Sequence, residues 1–74
     1  MTTLSSNAIA VLVNGATREV PAGSTIAALL DWLGVSSDKV AVELNKSIVR
    51  KRDWDSAVVC AGAQIEIVEF VGGG

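Results

Sequence analysis

Ile9-Ala10-Val11-Leu12-Val13-Asn14-Gly15-Ala16-Thr17-Arg18-Glu19-Val20-Pro21-Ala22-Gly23 is the stretch whose reading decides the architecture. Its first five residues are apolar and partly β-branched, the composition of a strand. Asn14-Gly15 follows, a favoured two-residue hairpin turn because both positions tolerate positive φ. A second short strand over residues 17–20 returns antiparallel, and Pro21-Ala22-Gly23 breaks the sheet. The period then changes. Ile26, Leu29, Leu30 and Leu33 fall at i, i+3, i+4 and i+7, which gives a helix one apolar face. Ser24 or Thr25 caps it, a side-chain oxygen accepting a free N–H of the first turn. Gly34 ends it in the left-handed conformation. Trp32 lies off the apolar face, and either packs at the sheet rim or stands exposed to touch a partner.

Downstream, residues 40–44 read as a third strand, and residues 48–49 as a short fourth after Asn45-Lys46-Ser47. Trp54 and Val58-Val59 are expected to cover the open end of the core. Gly62 turns the chain into a last strand over residues 64–71. There Ile65 and Ile67 alternate with Glu66, so the isoleucines face the core. Val68 and Phe70 share the outer face of Glu66. Either they form an exposed contact patch, or a twist or bulge turns Phe70 inward. Hairpin, helix, then strands implies an α+β fold, a mixed sheet of four to five strands with one helix across one face. First and last strands pairing in parallel at the centre, with the helix as the crossover, would make a β-grasp, or ubiquitin-like, domain.

Composition narrows the functions. At 74 residues the chain is one domain, and a chain of this size buries only about 60% of its unfolded surface. Half its residues are hydrophobic, ample for one core. No segment approaches the ~20 apolar residues of a membrane span. Residues 1–7 are small and polar, without the basic and apolar regions of a signal peptide; they read as a flexible leader to a domain over residues 8–71, in a cytoplasmic protein. The net charge of −2 argues against a nucleic-acid binder. Arg50-Lys51-Arg52, followed at once by Asp53, reads as a solvated loop, with a docking patch for an acidic partner as the alternative. With no His and one Cys, an intrachain disulfide, a zinc site of the usual Cys/His kind and a Ser-His-Asp or Cys-His nucleophile pair are all excluded. No catalytic residue is expected, and no metal. Cys60, in Val58-Val59-Cys60-Ala61, reads as a small buried hydrophobe.

Val71-Gly72-Gly73-Gly74 closes the sequence. Three glycines bring no side chain to pack and lose the most chain entropy on ordering. They do offer a main-chain carboxylate on a slim, flexible arm over residues 72–74, suited to a narrow active site in another protein. A frayed end is the plain alternative.

From residue 9 to residue 74 the chain resembles the ThiS family, the sulfur carrier proteins of thiamine biosynthesis. The landmarks are Asn14-Gly15, Thr25-Ile26 leading to Leu29-Leu30, Ala41-Val42-Glu43-Leu44-Asn45, Ile48-Val49, Trp54, and Ile65-Glu66-Ile67-Val68 running into Phe70-Val71-Gly72-Gly73-Gly74. Arg50-Lys51 stands where the family usually has Pro-Arg, and Ala63 where an Asp is common; neither position carries the chemistry. The resemblance implies a carrier, not an enzyme. An E1-like adenylating enzyme would use ATP to convert the Gly74 carboxylate to an acyl adenylate. Sulfur delivered as a persulfide, from a donor such as a cysteine desulfurase, would displace AMP and leave a thiocarboxylate on Gly74. Thiazole synthase would receive the sulfur. Gly72 and Gly73 would form the arm inside the partner's active site, and Phe70, Val71 and Val68 its anchor. No cofactor would be bound, and the free carrier is expected to be a monomer. The small subunit of molybdopterin synthase, a sulfur carrier for another pathway, and a protein modifier joined to lysines are the rival readings.

Overall fold

The computed structural model describes residues 7–70. β1 (Ala8–Val13) and β2 (Ala16–Pro21) form the opening hairpin, followed by the helix α1 (Ile26–Leu33), β3 (Val40–Leu44), β4 (Ser47–Val49) and β5 (Gln64–Glu69). Single 3₁₀ turns at Ser37–Lys39 and Lys51–Asp53 lie before β3 and after β4. The strands make one sheet in the order β2-β1-β5-β3-β4. β1 and β5 are parallel and every other pair is antiparallel. The first and last strands therefore meet at the centre, and the chain crosses between them through α1.

The local reasons are those of the sequence. Asn14 (φ +50°) and Gly15 (φ +84°) make the hairpin turn, the pairing of left-handed residues whose twist matches the strands. Thr25, not Ser24, caps α1, its Oγ1 accepting from Ala28 N–H at 3.1 Å. The other free N–H groups of the first turn are met by the chain after β4. Ile26 N–H donates to Ala57 C=O at 2.9 Å and Ala27 N–H to Trp54 C=O at 3.0 Å. The orphan donors that every helix start carries thus pin residues 54–59 over the open end of the core. Gly34 (φ +74°) closes the helix, and Val35 N–H returns to Leu30 C=O at 3.0 Å.

The core lies between α1 and one face of the sheet. Ile26, Leu29 and Leu30 meet Val11, Val20, Val42 and Ile65, with Trp54 and Val59 at the end. The Trp54 indole N–H donates to Val49 C=O at 2.9 Å, so the one polar atom of its ring is satisfied as it is enclosed.

Five expectations meet the structure here. Cys60 is exposed, not a buried hydrophobe. Its neighbours Val59 and Ala63 take the inward positions, and Cys60 C=O accepts from Ala63 N–H at 3.0 Å in the turn between them, which leaves the thiol side of that turn to solvent. Val58 is exposed while Val59 is buried, because an extended segment faces successive residues opposite ways; only Val59 and Trp54 close the core. Trp32 is exposed, flanking Glu19, Val20 and Pro21 of the edge strand β2. Arg50, Lys51 and Arg52 are all exposed. Lys51 approaches Asp38 at 3.6 Å across open surface, a pair that adds little stability. Asn7, which the sequence reading put in the leader, accepts a hydrogen bond from Ala22 N–H at 2.6 Å.

Candidate functional site

The outer face of β5 and the two strands beyond it form the candidate site. Alternation puts Ile65 inside, fully buried, with Ile67 partly buried beside the core. Val68 and Phe70, on the other parity, are each 57% exposed. No bulge turns Phe70 inward: its N–H donates to Lys39 C=O at 2.8 Å, carrying the ladder with β3 one residue past Glu69. The register places Ala41 opposite Val68, Glu43 opposite Glu66, and Ile48 of β4 opposite Glu43. Ile48 is 74% exposed. The outer face thus carries Ile48, Ala41, Val68 and Phe70 around two glutamates. Among the described residues no helix covers this face, so these apolar side chains stand exposed to solvent.

The sequence reading found Val68 and Phe70 in this patch and missed Ile48. A three-residue strand shows too little alternation to fix which of its residues points outward. Val71, Gly72, Gly73 and Gly74, also proposed from the sequence, lie outside the described residues.

Two further residues hold β5 in place. Asn45 (φ +52°) opens the turn between β3 and β4. Its N–H donates to Gln64 C=O at 2.7 Å and its Oδ1 accepts from Gln64 N–H at 2.9 Å. Asn14, in the other hairpin turn, donates through its main-chain N–H to Ile65 C=O at 2.8 Å. Its carboxamide engages Ile67: Oδ1 accepts from the N–H at 2.7 Å and Nδ2 donates to the C=O at 3.1 Å. Each flank of β5 is therefore bonded by a turn asparagine. The sequence signal was present, since Asn stands at the first turn position twice, but it reads equally as plain turn chemistry.

Among the described residues no group of three or more His, Cys, Asp or Glu side chains is placed to hold a metal ion. No described helix is long and apolar enough to cross a membrane. What the described surface offers is the outer face of β5, where the exposed Val68 and Phe70 follow the exposed Gln64 and Glu66 at the C-terminal end of the described residues.

A sheet of this order, with its parallel central pair and one crossover helix, defines a β-grasp, ubiquitin-like domain. The ThiS family model matches residues 11–74, and the chain belongs to that family. A solved thiamine biosynthesis protein (ThiS) from Geobacter metallireducens superposes with a TM-score of 0.78 at 30% identity, covering 89% of this chain and 100% of that one. Among curated proteins, a thiazole synthase of Paramagnetospirillum magneticum is 47% identical over 64 residues, 86% of this chain and 20% of the relative. A thiazole synthase of Magnetococcus marinus is 42% identical over 62 residues, 84% of this chain and 19% of the relative. The chain spans about a fifth of the length of these two relatives.

Proposed function

We propose that this protein is a sulfur carrier of thiamine biosynthesis, acted on by other enzymes and performing no catalysis itself. The observation that carries the reading is the match to the ThiS family, which extends through the glycine arm to residue 74. The Gly74 carboxylate is the group to be modified. A carboxylate resists nucleophilic attack because it is already negative and has no leaving group. An E1-like enzyme removes both obstacles: the carboxylate oxygen attacks the α-phosphate of ATP, pyrophosphate leaves, and an acyl adenylate forms. The terminal sulfur of a persulfide, generated by a donor such as a cysteine desulfurase, attacks the acyl carbon and AMP leaves. A thiol then cleaves the acyl disulfide and frees the thiocarboxylate.

Thiazole synthase is the proposed acceptor. Two proteins of that name share this chain's sequence over a fifth of their own length, which supports a carrier segment and a synthase working together. Gly72 and Gly73 form the arm in the partner's active site. Val68, Phe70 and Val71, joined by Ile48, supply the anchor, apolar and aromatic groups being the ones that dominate interface energies. The buried arm needs partners for its backbone groups, and strand-like pairing with the host enzyme supplies them.

The test is an intact mass of the protein after incubation with ATP, a cognate activating enzyme and a sulfur donor. The expected result is a gain equal to the difference between sulfur and oxygen, located at Gly74. An unchanged mass, where a known carrier is converted, would remove the reading; Gly74 found in amide linkage to lysines of other proteins would replace it with a protein modifier.

A further inference from the structure

β1 ends at Val13, where the chain turns back into β2, while β5 continues to Glu69. The last main-chain bond from the β1 side reaches Ile65. Beyond it the N–H and C=O of Ile67 have outrun their neighbouring strand, and the Asn14 carboxamide takes both. Turn geometry favours Asn here but does not single it out from Gly or Asp. Gly adopts φ of +50° more readily, and Asp tolerates it as well. Only a carboxamide presents one acceptor and one donor side by side, the pattern that a strand would offer.

We infer that Asn14 is a positioning residue for the C-terminal arm. Its side chain extends the sheet past the end of β1 and keeps β5 bonded on both flanks, to Asn14 at Ile67 and to Lys39 at Phe70. β5 is therefore bonded on both sides near its end, at Ile67 and at Phe70, the last described residue. Fixing the exit direction before binding removes ordering cost at the moment of binding. This consequence rests on the proposed function, since it takes the arm to be what an activating enzyme receives.

Two variants test it. Asn14→Gly keeps the turn and loses both side-chain bonds; Asn14→Asp keeps the acceptor and loses the donor. Hydrogen exchange of the free protein is the first measurement. Asn14→Gly is expected to speed exchange at Ile67, Val68 and Phe70 on the order of tenfold more than at the core amides of Val11 and Val42, with Asn14→Asp intermediate. A uniform rise across the sheet, or a rise confined to Ile67, would overturn the proposal. The second measurement is adenylation kinetics. KM for the Asn14→Gly carrier should rise about tenfold with kcat unchanged, the signature of lost uniform binding. An unchanged KM alongside a loosened arm would also overturn it. Should the wild-type protein fail to be adenylated, the proposed function falls, and hydrogen exchange still decides whether Asn14 holds the strand.

Discussion

Replacing Phe70 by alanine separates a contact residue from a core residue. Phe70 is 57% exposed. An aromatic side chain carries roughly 150–250 Å², so roughly 100 Å² of it faces solvent in the free protein. At about 25 cal/mol per Å², covering that surface with a partner stabilises a complex by about 2–3 kcal/mol. The buried remainder, less what the alanine methyl still covers, is roughly 50 Å², or about 1 kcal/mol of folding stability as an upper estimate. The two numbers predict an asymmetry. Phe70→Ala should lower the free energy of unfolding by about 1 kcal/mol in urea titrations, with an unchanged slope. It should weaken binding to the activating enzyme about thirtyfold, or ~2 kcal/mol, in calorimetric titrations. A loss of more than about 3 kcal/mol of stability, the range of a core aromatic, with affinity unchanged would refute the reasoning and place Phe70 in the core.

Gly73→Val should leave the unfolding midpoint where it is and greatly reduce adenylation of Gly74, because a branched side chain restricts φ and does not fit a channel sized for bare backbone; normal turnover in an ATP–pyrophosphate exchange assay would end that account. Trp54→Phe removes the indole donor from Val49 C=O and should cost about 1–3 kcal/mol in denaturant unfolding, with the fold retained by circular dichroism. Lys46 sits at φ +72° in the β3–β4 turn, so Lys46→Gly should raise stability by about 1 kcal/mol, read as an upward shift in Tm; a lower Tm would mean that the lysine makes a compensating interaction.

The fold was legible because its signals are local. The Asn14-Gly15 turn, the apolar helical face from Ile26 to Leu33, the Thr25 cap and the Gly34 stop each occupy a few adjacent residues, and each formed as chemistry requires. Alternation in β5 placed Ile65 inside and Val68 outside, since a strand that lies across a core leaves its residues no other choice. The family resemblance added what no local pattern carries, an expected chemistry for Gly74.

Three-dimensional packing decided the rest. Cys60, Val58 and Val59 lie in a segment too short for its alternation to show from sequence which parity points inward; the inward places went to Val59 and Ala63, with residues 54–59 bonded to the helix start through its free N–H groups. Trp32 lies off the inner face of Ile26, Leu29 and Leu30, and which surface its ring would flank was settled only by the placement of the edge strand β2 beside it. Ile48 joined the outer patch through the register of β4 on β3, a matter of pairing between strands. Asn14 and Asn45 read from the sequence as turn residues. Their second role, bonding β5 from its two flanks, depends on partners 53 and 19 residues away. Only the closure of the sheet brings those groups together, because a turn fixes its own backbone locally while the direction and partners of its side chain are set by whichever strand packs alongside.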